Sequence, residues 1–128
     1  MRNPGFSGYL LSIPAGKEAT LRNITIDGGG ENDGKTRESL IKVSGNLNIE
    51  EDAILENNFV TVPKGTDANG GAIYAISDTK KVVINMTGGI IRNNSAFFGG
   101  GVFLLDNTTF NMSGGRNQRE QGYFPKYF

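Results

Sequence analysis

The 128-residue chain contains no cysteine, no histidine and no tryptophan. Without cysteine there can be no disulfide bonds and no thiolate zinc site. Without histidine, the serine–histidine route of nucleophilic catalysis is closed. These absences remove several of the commonest kinds of catalytic and metal site before any pattern is considered.

Charge excess and long apolar runs are also missing. Thirteen basic and thirteen acidic residues give a net charge of zero, and the longest basic tract is Lys80–Lys81. Nucleic acid is therefore an unfavoured partner, because its binding depends on a positive patch. No run approaches the ~20 apolar residues of a membrane span. The segment 1–15 has one arginine and one brief apolar stretch, which predicts no signal peptide in this chain.

Glycine and asparagine are abundant, with 19 and 14 residues. Both disfavour long helices, since glycine costs roughly 1 kcal/mol against alanine in a helix interior and asparagine prefers turns. Hydrophobic residues still make up 37% of the chain and recur in short β-branched bursts. That apolar content argues against a disordered chain and favours short strands separated by turns.

Three segments of the chain recur at intervals close to 30 residues. The paired copies are 70–74 with 99–103 (offset 29), 82–89 with 108–115 (offset 26) and 54–58 with 90–94 (offset 36). Strands that repeat while the turns between them change length are typical of a solenoid. Each coil of such a stack is incomplete alone, because neighbouring coils must cover its apolar side.

Within each repeat the sequence predicts three short strands, most with the period-2 alternation of one buried face. The predicted fold is all-β: a right-handed parallel β-helix of about four coils with a non-repeat C-terminal tail. The apolar markers are Leu11, Ile13, Ile41, Val43, Ile73, Val102 and Leu104 for the first strand, Leu21, Leu47, Ile49, Ile84, Met86, Phe110 and Met112 for the second, and Ile24, Ile26, Ile54 and Ile90 for the third.

Two stretches carry a family resemblance. Gly70-Gly71-Ala72-Ile73, and the run 91–102 with its Ile-Arg-Asn-Asn and Gly-Gly-Gly-Val boxes, resemble the repeat of polymorphic outer-membrane proteins and related adhesin-like β-helix proteins of gut bacteria. The resemblance covers about residues 6–115. It implies a non-catalytic structural or adhesive segment of a secreted or cell-surface bacterial protein, with a glycan or a host-surface ligand as partner.

The repeat pattern is predicted to occupy residues 1–115 as part of a longer array, and residues 116–128 to form a separate tail. The tail is polar and then aromatic, and a cap, a disordered segment and the product of a truncated reading frame all remain open. A solenoid without caps exposes strand edges and apolar core. We therefore expect end-to-end self-association, or coverage of one end by residues 123–128.

Four asparagines at repeat-equivalent positions predict a structural ladder. Stacked asparagine side chains hydrogen-bond their copies above and below, and asparagine tolerates the left-handed backbone of a bend. The predicted ladder consists of Asn57, Asn58, Asn93 and Asn94.

Carboxylates supply the candidate catalytic and metal sites. Asp78 and Asp106 are 28 residues apart, close to one coil, and are the best candidates for the paired acids of a pectin-lyase-like enzyme acting on polysaccharides. The alternative is a pair of solvated turn acids. The loop 27–34 offers Asp27, Glu31 and Asp33 as candidate calcium ligands, against a solvated insertion. Its spacing does not match an EF-hand, so we predict no required cofactor.

Phe97 and Phe98 are predicted to lie in a turn, where the repeat usually carries small polar residues. They are candidates for a sugar-stacking platform or a partner contact. The alternative is that both rings fold back onto the neighbouring coil.

Overall fold

The computed structural model describes residues 8–30, 38–60, 70–118 and 121–124, and every regular element in these ranges is a β-strand. No helix in the described ranges is long and apolar enough to cross a membrane. The strands are β1 Leu11–Ile13, β2 Glu18–Leu21, β3 Thr25–Asp27, β4 Ile41–Val43, β5 Asn46–Ile49, β6 Ile54–Glu56, β7 Ile73–Ala75, β8 Val82–Met86, β9 Ile90–Arg92, β10 Ser95–Phe98, β11 Val102–Leu104, β12 Thr108–Met112, β13 Arg116–Gln118 and β14 Gln121–Phe124.

Three parallel sheets form the body of the molecule. The first has the order β1-β4-β7-β11, the second β2-β5-β8-β12 and the third β3-β6-β9-β13. Each pass of the chain therefore adds one strand to each sheet, which makes about three full turns between the first and last copy of a strand. The predicted parallel β-helix is confirmed.

The register of the first two sheets follows the repeats in the sequence. The copies that lie opposite one another are Leu11, Ile41, Ile73 and Val102 in the first sheet, and Leu21, Ile49, Met86 and Met112 in the second. Because alternate residues of a strand face opposite sides of its sheet, this register aligns the apolar rows and stacks them into one core. The apolar markers predicted for these two strands are buried or packed against the core, with the exception of Met112.

The third sheet uses different core residues from those predicted. Ile26 lies in register with Leu55 and Ile91, and the last two are fully buried. The adjacent pairs 54–55 and 90–91 are both apolar, so the sequence shows no alternation that tells which member faces inward. The markers that fall outside the core row are Ile24, Ile54 and Ile90.

The main hydrophobic core of the described residues runs along the axis of the coils, and Val60 and Ala96 form a second, small buried cluster. Leu47, Ile49, Ile84 and Met86, from two successive strands of the second sheet, are all fully buried. Burial of one such side chain stabilises the fold by roughly 1.5–3 kcal/mol. Only residues from neighbouring coils can provide this burial, because one coil encloses no interior of its own.

Strand pairing extends beyond the predicted repeat boundary at residue 115. β13 pairs with β9, with Arg116 opposite Ile90, although the tail sequence lacks the apolar alternation of the earlier coils. Main-chain N–H and C=O groups make these parallel bonds whatever the side chains are, which explains why the pattern did not predict them. Residues 125–128 lie outside the described residues.

A fourth, two-stranded sheet pairs β10 with β14. Phe97 and Phe98 therefore lie in a strand, and the predicted turn at these residues is wrong. The chain at 121–124 supplies backbone partners along Ser95–Phe98, and aromatic residues fit a strand better than a bend. The side chain of Phe97 lies outside the described part of the structure.

Among the described residues, the core is least covered at the last strand of the second sheet. Met112 occupies the same inward row as Met86, but Met112 is 42% exposed whereas Met86 is fully buried. β12 has one hydrogen-bonded neighbour, β8, among the described strands. One edge of the stack thus presents apolar side chains and backbone groups with no further described coil above them.

Candidate functional site

The corner after the third sheet carries a ladder of side-chain hydrogen bonds. Asn57 and Asn93 both have a positive φ, 57° and 54°, a conformation that asparagine adopts more readily than most residues. Asn93 Nδ2 donates to Asn57 Oδ1 over 3.5 Å, and Asn57 Nδ2 donates to Asp27 Oδ2 over 3.4 Å. The stacked contact predicted from the repeats is therefore present, and it extends to an aspartate in the first coil.

The next residue in each corner points into the protein. Asn58 and Asn94 are buried, and the backbone N–H of Asn58 donates to Asn94 Oδ1 over 3.1 Å. Asn58 Nδ2 donates to the carbonyl oxygens of Gly71 and Glu38 over 2.7 and 2.9 Å. These amides satisfy backbone groups that water cannot reach, which is a structural role.

A second ladder crosses the outward face of the second sheet. Asn111 Nδ2 donates to Asn85 Oδ1 over 3.0 Å, and Asn85 Nδ2 donates to Asn48 Oδ1 over 3.4 Å. Asn48 Nδ2 then donates to Thr20 Oγ1 over 3.3 Å. This ladder was not predicted, although the repeat 82–89 with 108–115 already aligned Asn85 with Asn111.

In the described part of the chain, two ion pairs also link successive coils. Arg92 Nε lies 2.6 Å from Glu56 Oε2, and these residues face each other in register on the third sheet. Arg22 Nε donates to Glu50 over 3.0 Å at the corner that follows the second sheet. Both pairs connect neighbouring coils along the stacking axis, as the two asparagine ladders do.

Asp27 is bound within its own corner. Its Oδ1 accepts the backbone N–H of Gly29 over 2.8 Å, and its Oδ2 accepts from Asn57. The other candidate calcium ligands, Glu31 and Asp33, lie outside the described residues. The described part of the chain contains no group of three acidic, histidine or cysteine residues that could hold a metal ion. Calcium binding by the loop 27–34 stays a prediction.

The candidate catalytic acids lie in turns between the first and second sheets. Asp78 follows β7 and Asp106 follows β11, and both are exposed. The side-chain hydrogen bond between these turns runs from Asn107 Nδ2 to Ser77 Oγ over 3.1 Å. Successive coils carry the two acids, as the spacing predicts, while their catalytic role stays a prediction.

An aromatic cluster lies on the outward face of the first sheet. Tyr74 and Phe103 face each other in register, and their rings stack with centroids 6.0 Å apart and planes 10° from parallel. Phe98 meets Phe103 at 6.2 Å in a tilted arrangement. Phe103 is only 6% exposed, so the partly exposed Tyr74 and Phe98 are the rings of this cluster that an added ligand could contact.

Tyr9 lies beside the same face, with Lys42 Nζ 6.0 Å from its ring centroid. Partial burial, together with the charge of Glu38 and a hydrogen bond to it, raises the pKa of Tyr9 to about 12. Each of these effects favours the neutral phenol over the phenolate.

Comparison with protein-family models, with curated proteins and with solved structures finds no match to this chain.

Proposed function

We propose that the chain is a non-catalytic structural or adhesive segment of a β-helix protein that is secreted by bacteria or displayed on their surface. The observation that supports this most is the direction of its polar contacts. The two asparagine ladders and both ion pairs run along the stacking axis, from one coil to the next. Polar residues placed this way hold coils in register, which is the task of a scaffold.

The open end supports a second part of the proposal, in which copies of the chain stack end to end. Met112 is exposed in the edge strand β12, and β2 is the opposite edge strand of the same parallel sheet. The β12 edge of one copy could therefore pair with the β2 edge of the next. The outward ladder has a direction that repeats: each upper asparagine donates to the residue below it. Asn111 Oδ1 at one end could accept from the Thr20 hydroxyl of the next copy.

A second candidate function is carbohydrate binding, alone or with the pectin-lyase-like cleavage of a polysaccharide. Support for binding comes from the aromatic cluster of Tyr74, Phe98 and Phe103, since sugar rings pack on aromatic faces. Support for cleavage rests on Asp78 and Asp106 alone, and fold analogy adds little because one fold hosts many functions.

A glycan array separates these functions. A scaffold that does not bind sugars gives no signal, whereas an adhesive segment retains a defined set of glycans. A Tyr74→Ala variant that still folds should lose that signal if the aromatic cluster is the contact, and Thr25→Ala, at an exposed position of the third sheet, is the control. Sugar cleavage by the wild-type chain would contradict the non-catalytic proposal.

A further inference from the structure

A recess lies where the chain passes from the first sheet to the second. The turn takes four residues in the first coil (14–17), two in the second (44–45) and six in the third (76–81). The short turn of the second coil therefore protrudes less from the surface than the longer turns of the first and third coils on either side of it. The resulting cavity, called here the basic notch, has a volume of about 140 Å³ and is lined by Gly16, Lys17, Glu18, Gly45, Asn46, Lys80 and Lys81.

The floor of the basic notch is backbone. Gly45 is buried, and a Cβ added to it would lie 2.2 Å from the carbonyl oxygen of Lys17 and 2.4 Å from that of Pro14. Any side chain at this position would collide with main-chain atoms, so glycine keeps the recess open. Above the floor, Lys80 Nζ lies 3.4 Å from the point that a Cβ added to Gly16 would occupy. The ammonium group of this third-coil lysine therefore lies against the first coil.

Charge in the basic notch is unbalanced. Lys17, Lys80 and Lys81 stand against one acid, Glu18, and no ion pair engages any of the three lysines within the described ranges. Asn46 Oδ1 accepts the Val83 N–H over 3.2 Å, while its Nδ2 hydrogens have no partner among the described residues. Hydrogen-bond donors thus outnumber acceptors in the basic notch. The volume of the notch also far exceeds the roughly 10–15 Å³ that one water molecule needs, so a larger group can enter it.

We propose that the basic notch binds the carboxylate groups of an acidic polysaccharide. Lysine ammonium groups are strong point donors to oxyanions, and an amide N–H beside them suits a carboxylate oxygen. This inference rests on the adhesive form of the proposed function and adds the chemical class of the ligand.

The surface next to the basic notch favours a sugar polymer over other polyanions. Asn46 and Asn48 are two residues apart on β5 and therefore face the same side. From Asn48 the outward ladder continues to Asn85 and Asn111, so amides that can meet hydroxyl groups lie next to the lysines. A nucleic acid would need a wider positive surface than a chain of zero net charge provides.

Calorimetric titration of the full chain with oligogalacturonate tests the proposal. We expect binding that weakens between 0.05 and 0.5 M salt, because exposed charges are screened. A Lys17→Gln/Lys80→Gln double variant should bind at least tenfold more weakly. Lys42→Gln, which removes one positive charge from a lysine outside the notch, should stay within twofold of wild type, whereas the single variant Lys80→Gln, which removes the same charge inside the notch, should bind severalfold more weakly. Circular dichroism confirms that each variant folds.

Four comparison titrations identify the ligand. The proposal predicts no binding of neutral dextran, and weaker binding of monomeric galacturonate and of inorganic sulfate than of the oligomer. Sulfate that binds as tightly as the oligomer would show a site for free anions and overturn the polysaccharide assignment. Single-stranded DNA that competes equally would overturn it in favour of a general polyanion surface.

Failure of this proposal can be told apart from failure of the proposed function. Retention of neutral glycans, unaffected by the double variant, would leave the adhesive function standing and overturn the role of the basic notch. Oligomer binding that is lost equally in Lys42→Gln would also overturn it. Lysine-dependent binding accompanied by cleavage of the polymer would support the notch and contradict the non-catalytic function.

Discussion

The backbone N–H of Asn58 donates to the side-chain oxygen of Asn94 over 3.1 Å, although the two residues are 36 positions apart in the chain. Both side chains are buried, and each has a further backbone carbonyl as acceptor, Gly71 for Asn58 and Leu55 for Asn94. The pair therefore joins two coils at a corner, beside the backbone hydrogen bond from Ser95 N–H to the Asn58 carbonyl oxygen over 2.8 Å. The hydrogen bonds of this buried pair should contribute more to stability than those of the outward ladder through Asn85 and Asn111.

Asn58→Ala should lower the free energy of unfolding by about 2–4 kcal/mol. It removes the donor to two carbonyl oxygens, and each buried polar group left without a partner costs roughly 1–3 kcal/mol. Asn111→Ala, at the exposed end of the outward ladder, should cost less than about 1 kcal/mol. Urea denaturation of both variants measures the difference, and equal losses would contradict a special role for the buried corner.

Gly45→Ala should destabilise the protein by about 1–3 kcal/mol or more, the usual range for overpacking. The carbonyl groups of Lys17 and Pro14 would have to move, because both lie less than 2.5 Å from the added Cβ. Gly88→Ala is the control, since its nearest neighbour, Glu51 N, lies 3.0 Å away and needs only a small shift. A melting temperature that is lower for Gly88→Ala than for Gly45→Ala would refute this account of the short turn.

Stability should fall between about pH 10 and pH 12 because of Tyr9. Its pKa is raised from 10.0 to about 12 in the folded protein, so the folded chain keeps a proton that the unfolded chain loses. The favourable contribution is complete below pH 10 and disappears as the pH passes the folded pKa. Tyr9→Phe should show a smaller fall in melting temperature over this range and should remove the phenolate absorbance step that titrates latest. An unchanged absorbance titration would contradict the assignment.

Self-association should depend on the open end of the second sheet. Met112→Glu should weaken it at least tenfold, because a charge would replace an apolar side chain that stacking buries. Ser113→Glu adds the same charge at the next, exposed position and should have a much smaller effect. Sedimentation over a range of concentrations measures both. A wild-type chain that stays monomeric at every concentration would disprove stacking.

Fold and register could be derived from the sequence wherever apolar residues alternate. Ile41 and Ile73 were aligned by their repeats and lie opposite each other. In the third sheet the strands are three residues long, and in β9 two apolar residues are adjacent, so alternation could not identify Ile91 as the core residue. The pairing of β13 escaped prediction because backbone hydrogen bonds leave no side-chain pattern.

The candidate sites show a similar division. The asparagine ladder at Asn57 and Asn93 followed from repeat-equivalent positions, and the ladder through Asn85 could have been found in the same way. The basic notch could not, because it depends on three turns of different length that bring Lys17 and Lys80 together across a missing side chain at Gly45. Such a recess arises from the stacking of coils rather than from any local pattern.

The proposed non-catalytic role of this β-helix is tested most directly by incubating the purified chain with polygalacturonate and following ultraviolet absorbance for unsaturated products. We predict no product above the protein-free control, with and without added calcium. Product formation that Asp78→Ala or Asp106→Ala abolishes would contradict the claim and assign the two acids a catalytic role.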